Sequence, residues 1–188
     1  MILRRFLAVL ALLVLTGCAN VVKVPAGNAV VGERLTADLG KAWNQVSLPG
    51  LNAIVWTQDG ITLDALQFWV GVKDNQPIAP PGEDKRALTF KASMQPHELV
   101  ALMQGYYARD GSTVTLDKLE PADFGGTRGV RFEFTVLRKF DEVRLAGRGW
   151  ASVRGGELFA MGFTAPRLGF FPRHADDVEA VARSVRIR

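Results

Sequence analysis

Val130-Arg131-Phe132-Glu133-Phe134-Thr135-Val136 alternates apolar and polar side chains without a break. A strand sends successive side chains to opposite faces, so this period of two predicts a half-buried strand. Val130, Phe132, Phe134 and Val136 are expected inward, and Arg131, Glu133 and Thr135 outward. Upstream, 114–119 reads as a strand and Asp123-Phe124-Gly125-Gly126 as a turn. Downstream, 139–142 turns the chain into a long strand over 143–153. Arg154-Gly155-Gly156-Glu157 is a tight hairpin, and 158–164 is its return strand with Phe159, Met161 and Phe163 on one face. Consecutive hairpins of this kind make an antiparallel sheet with a buried side.

The rest of the chain is read outward from that block. Residues 53–57 and 61–72 are predicted strands joined through Gln58-Asp59-Gly60, because Asp-Gly between apolar runs favours a hairpin. In the second, Leu66, Phe68, Val70 and Val72 share a face by period two. Residues 43–48 form a first strand or turn, and 87–91 a short strand. Gln95-Pro96-His97-Glu98 opens a helix, since proline suits the first helical turn. Leu99, Leu102, Met103 and Tyr106 give it an apolar stripe. Pro166 to Pro172 is expected as a loop, and 173–184 as a second helix with Asp176 and Asp177 in its first turn, where the dipole favours acids. Val178, Val181, Ala182 and Val185 are its buried face, and 186–188 a last edge strand. Strands, helix, strands, helix predict an α+β fold, an antiparallel sheet with packed helices.

The first twenty residues carry a different message. Arg4 and Arg5 precede an apolar run from Phe6 to Leu15, too short to span a bilayer core of roughly 30 Å as a helix. A charged start, a short apolar core and small residues at its end read as a secretory signal. Leu15-Thr16-Gly17-Cys18 closes it and resembles the bacterial lipobox. The resemblance implies that residues 1–17 are removed and that Cys18, acylated, becomes the first residue of an envelope lipoprotein. Cys18 is the only cysteine in the chain, which lipidation explains without a disulfide. Ala19 in place of aspartate favours the outer membrane, facing the periplasm. Residues 18–34 are expected as lipidated N-terminus and tether, because Pro25 and Gly27 break a helix, and 35–188 as one domain.

The formal net charge of +4 includes Arg4 and Arg5 of the expected signal. Residues 19–127 hold nine Lys and Arg against twelve Asp and Glu; residues 128–188 hold twelve against seven. This arginine-rich half suits anionic headgroups, a polyanionic glycan or an acidic partner, or simply a solvated strand face. An envelope address argues against nucleic acid.

Gly126-Thr127-Arg128-Gly129-Val130-Arg131-Phe132-Glu133-Phe134, the hairpin closing on Leu158-Phe159-Ala160-Met161-Gly162-Phe163, and the terminal Val178-to-Val185 helix with Ser184 resemble the PsbP-like α/β/α sandwich. Trp56-Thr57-Gln58-Asp59-Gly60 and the run from Leu63 to Phe68 are similar to small uncharacterised lipoproteins of proteobacteria. PsbP-like domains mostly dock onto membrane complexes, help assemble them or bind another protein. The resemblance implies a non-enzymatic role and carries over no catalytic residue. The acidic and histidine metal positions of some members are missing here, so it implies no metal site.

Candidate chemistry elsewhere is sparse. His97 and His174 each start a helix and read as exposed; a zinc site needs three or four convergent ligands. Asp59 and Asp64 form a conceivable carboxylate pair, although Asp59 is more simply a turn residue. The Gly-Gly steps match no phosphate-binding loop, and no cofactor is expected. Small residues at Ala146, Gly147, Gly149, Ala160 and Gly162 predict close packing of a helix or loop on the long hairpin. Trp150 is out of phase with Leu145 and Val153. With Arg144, Arg148, Arg154, Phe170 and Phe171 it forms the expected interaction surface. The leading expectation is a membrane-anchored protein-interaction or assembly module with an unknown envelope partner. The alternative is a small-ligand or lipid-binding lipoprotein with a pocket between sheet and helix.

Overall fold

The computed structural model describes residues 21–188, apart from 49 and 84. The signal segment and Cys18 lie outside the described residues. An eight-stranded antiparallel sheet runs in the order β1-β4-β5-β6-β10-β9-β8-β7. Its strands are β1 (Val21–Val24), β4 (Trp43–Val46), β5 (Ile54–Thr57), β6 (Ala65–Val72), β7 (Thr113–Phe124), β8 (Thr127–Leu137), β9 (Arg144–Arg154) and β10 (Glu157–Pro166). A second sheet has β3 (Leu35–Leu39) between β2 (Gly27–Val31) and β11 (Arg186–Ile187). Helix α1 (Pro96–Ala108) covers one face of the large sheet. Helix α2 (Phe170–Ser184) and the small sheet cover the other. The fold is α+β, as expected.

The alternating run behaves as its period dictates. Val130, Phe132, Phe134 and Val136 are buried with Leu99, Val100, Leu102, Met103 and Tyr106 of α1. Phe159, Met161 and Phe163 face the other way, onto Val178, Val181, Ala182 and Val185 of the α2 side. Both helix stripes are therefore as read. At the start of α1, the Glu98 carboxylate accepts the Gln95 backbone N–H at 2.6 Å, satisfying an otherwise free donor.

Gly147 and Gly149 sit opposite Phe134 and Phe132 on β8. A Cβ on either glycine would lie 2.3 Å from its partner's ring. The close packing expected here thus comes from neighbouring aromatic rings. At Gly162 it does come from a helix: a Cβ there would meet the Tyr107 hydroxyl at 2.2 Å.

Several expectations fail. Residues 21–24 and 27–31, expected as part of a tether, are strands. β1 pairs with β4 at the edge of the large sheet, and β2 pairs with β3. Pro25 and Gly27 mark the corner where the chain leaves one sheet for the other, not a flexible linker. Residues 61–63 are turn, so β6 begins at Ala65. Gly71, at φ +67, interrupts the alternation of β6, and the register against β10 slips there. Leu66, Phe68 and Val70 consequently join the α2-side core while Val72 joins the α1-side core. Residues 87–91 make only an isolated bridge, Pro77 to Thr89. Helix α2 starts at Phe170 behind Gly169 (φ +84), so Asp176 and Asp177 lie beyond its first turn.

Candidate functional site

Arg144, Arg148, Trp150 and Arg154 do share one face of β9, as their spacing predicts, but that face is covered. Trp150 is only 3% exposed and packs in the core beneath α2 and the small sheet. It is not part of an exposed aromatic patch. Arg148 Nη1 donates to Glu179 Oε2 of α2 at 2.9 Å. On β8, Arg131 donates to Glu120 (2.7 Å), Glu133 (2.7 Å) and the same Glu179 oxygen (3.2 Å). The three central side chains are only 14–22% exposed. Burial works against the charge of Arg131, but hydrogen bonds to Glu133 and Glu179 outweigh it and hold its pKa above the ordinary arginine value. Arg154 donates to the Ile187 carbonyl at 2.9 Å and ties down the C-terminal strand. Phe170 and Phe171 are half-buried against the same core, and Phe171 lies 5.7 Å from the Phe163 ring. Of the expected surface, only Arg144 and Arg154 are exposed. The arginines clamp α2 to the sheet, a role hidden in the sequence because alternation alone does not say which face a helix covers.

His174 is also misplaced by the sequence reading. It is 2% exposed, between Trp43 and Phe163. Its Nε2 lies 2.8 Å from Asp59 Oδ2, which also meets Arg173 at 3.3 Å. Nδ1 is buried without a partner among the described residues. Asp59 and Asp64 are not a working pair. Asp64, 1% exposed, accepts the Thr57 hydroxyl (2.8 Å) and the backbone N–H groups of Gln58 (2.8 Å) and Asp59 (2.7 Å). It shapes the β5–β6 loop, and Asp59 pins that loop to the start of α2. His97 is exposed, as expected. Among the described residues no group of three His, Cys, Asp or Glu could hold a metal. No described helix is long and apolar enough to cross a membrane.

Two features at one end of the large sheet remain. The β8–β9 turn and the β10–α2 connection carry Phe140 (72% exposed) and Leu168 (85%), the latter beside an apolar groove of about 370 Å³ lined by Val143, Arg144, Pro166 and Arg167. Arg138 braces the turn, donating to the Thr62 carbonyl (2.8 Å) and to Asp141 (2.8 and 2.6 Å). The second feature is a cleft of about 190 Å³ between the C-terminal end of α1 and the sheet. Gln67, Tyr106, Tyr107, Arg109, Arg138 and Thr164 are among its lining. Gln67 Nε2 donates to the Tyr106 hydroxyl at 2.7 Å, while Gln67 Oε1 and the Tyr107 hydroxyl are buried without partners. An unsatisfied buried polar group costs about 1–3 kcal/mol. Burial raises the pKa of Tyr106 and raises that of Tyr107 well above the ordinary tyrosine value, with Arg109 opposing both. Both phenols therefore keep their protons at neutral pH. The sequence signal for this cleft was faint: a lone polar Gln67 between apolar neighbours on β6.

No protein-family model and no curated protein matches the chain. Solved structures do. The chain is similar to the cyanobacterial PsbP protein CyanoP of Synechocystis sp. PCC 6803, with 12% identity, a TM-score of 0.59, and coverage of 92% of this chain and 95% of that one. It is also similar to a Bacteroides thetaiotaomicron protein, with 11% identity, a TM-score of 0.52, and coverage of 88% of this chain and 49% of that one. At such identity the likeness speaks for fold alone: the domain has the PsbP-like α+β fold.

Proposed function

We propose that this chain is an envelope lipoprotein, anchored through acyl chains on Cys18 at the periplasmic face of the outer membrane, and that its domain is a non-enzymatic module for binding or assembling a protein partner. The observation that carries the second half is the exposure of Phe140, on a turn braced by Arg138, and of Leu168 at the same end of the sheet. Large apolar side chains held out by ordered turns are what a partner's surface can desolvate. The arginine and tryptophan face of β9 no longer serves this purpose, since α2 occupies it.

The placement of β1 supports the reading. The antiparallel pairings of β1 with β4, β4 with β5, β5 with β6 and β6 with β10 put Val21, the first residue of β1, at the end of the sheet opposite Phe140. With Cys18 as anchor, three residues precede Val22's neighbour Val21, a reach of about 10 Å at full extension. The domain then sits close against the headgroups instead of on a long tether, with the Phe140 and Leu168 end turned outward. Cys18→Ala is expected to abolish labelling by a fatty-acid probe and release the chain from membranes; unchanged labelling refutes the anchor. Photo-crosslinkers placed at 140 and at 168 are expected to trap one discrete protein in cells. A crosslinker at Val30, exposed on the small sheet, is expected to trap none. No adduct at 140 or 168, or the same adducts at all three, overturns the interaction reading.

A further inference from the structure

The cleft under the C-terminal end of α1 has neither Phe140 nor Leu168 in its lining. Its floor is formed by Ala65 and Gln67 of β6, Thr164 of β10, Leu145 of β9 and Val136 of β8. Tyr106 and Tyr107 of α1 and Arg109, which caps its C-terminal end, complete the lining. Gln67 is 9% exposed; its Nε2 donates to the Tyr106 hydroxyl and its Oε1 has no partner. The large majority of buried side-chain polar atoms have a partner, and this cleft holds two that do not, Gln67 Oε1 and the Tyr107 hydroxyl.

Charge narrows the ligand. Arg138 is committed to Asp141 and the Thr62 carbonyl. Asp110, also in the lining, accepts the Ser112 N–H at 3.0 Å. Arg109 donates to the Tyr106 carbonyl at 2.8 Å and lies 4.0 Å from the Tyr106 ring centre, with no carboxylate partner among the described residues. Its guanidinium fork suits a planar carboxylate, and the nearby Asp110 disfavours a second negative charge. Gln67 Oε1 calls for a donor, and the protonated Tyr107 hydroxyl for an acceptor. The volume equals that of about six waters.

We infer that this cleft binds a small monocarboxylic acid of six or so non-hydrogen atoms that carries a hydroxyl or amino group next to its carboxylate. The carboxylate meets Arg109 and the adjacent donor meets Gln67. The full-length chain in detergent, labelled with ¹⁵N at glutamine, is titrated with L-lactate as probe. The Gln67 side-chain amide signal, identified by its loss in Gln67→Leu, is expected to shift saturably at millimolar lactate. Propionate lacks the hydroxyl and lactamide the charge, so each is expected to bind at least about tenfold more weakly. Arg109→Gln is expected to weaken lactate by a similar factor while the other glutamine signals stay in place. Absence of a saturable Gln67 shift, or equal shifts with all three probes, overturns the proposal; the probe comparison needs no variant. Neither failure touches the crosslinking result at 140 and 168.

Discussion

Glu179→Ala tests whether the arginines of β8 and β9 are structural. In the folded chain the Glu179 carboxylate, on α2 and 22% exposed, accepts from Arg148 at 2.9 Å and from Arg131 at 3.2 and 3.4 Å. A hydrogen bond to a charged group contributes about 1.5–3 kcal/mol. Removing one member of a buried ion pair costs about 3–5 kcal/mol because the other charge is stranded. Here the stranding is partial, since Arg131 keeps Glu133 and Glu120, and Arg148 keeps Glu133 at 3.6 Å. A loss of about 2 kcal/mol follows, discounted for the remaining exposure. For a chain of this size each kcal/mol lowers Tm by about 2–4 °C, so a drop of about 4–8 °C is expected. Guanidinium unfolding followed by tryptophan fluorescence reads it, and Trp150 beneath the clamp reports directly. In the cycle with Arg148→Ala, the double variant is expected to lose less than the sum of the singles by at least about 0.5 kcal/mol. A cost for Glu179→Ala below about 0.5 kcal/mol with no coupling would mean that α2 does not hold these arginines. They would then be free to present themselves to a partner, and the clamp would be refuted.

Other substitutions probe the remaining links. Gly149→Ala is expected to cost about 1–3 kcal/mol, because its Cβ collides with the Phe132 ring, and Phe132→Leu should recover part of that loss in thermal unfolding. Asp64→Ala strands a hydroxyl and two backbone N–H groups and is expected to cost about 3 kcal/mol, with new proteolytic cleavage within 58–64 as the readout. Tyr107 has a folded-state pKa above its ordinary value of 10.0, so the unfolded chain loses that proton first as pH rises. Stability is therefore expected to be full below pH 10 and to fall as pH rises through the folded-state value, less steeply in Tyr107→Phe; equal slopes in the two proteins would contradict the burial of that phenol.

Local pattern made much of the fold legible. The alternation at 130–136, the glycine turns at 125–126 and 155–156, and the stripes of both helices are properties of neighbours in sequence, and each holds in the fold, although α2 begins three residues earlier than expected. The strands at 21–31 were not legible, because Val21, Val22 and Val30 stay exposed and leave no alternation to read. Their order comes from pairing with β4 and β3, contacts that a one-dimensional pattern does not contain. The bulge at Gly71 was hidden for a related reason: one positive φ reverses the phase of everything after it.

The site divides in the same way. From the residues alone came the lipobox likeness of Leu15-Thr16-Gly17-Cys18, the arginine-rich second half, and the fact that Trp150 faces away from Leu145. Tertiary structure decided what each face meets. Period two separates two sides of a sheet but is blind to which side a helix sits on, so Arg131, Arg148 and Trp150 looked like surface until α2 was laid over them. His174 looked exposed because its burial depends on Asp59, 115 positions away in the chain. The cleft beside Gln67 depends on four strands and a helix end converging, and the exposure of Phe140 and Leu168 depends on what fails to cover them. Short-range periodicity is written in the sequence because neighbours share a backbone; burial and charge pairing arise between residues that only the folded chain brings together.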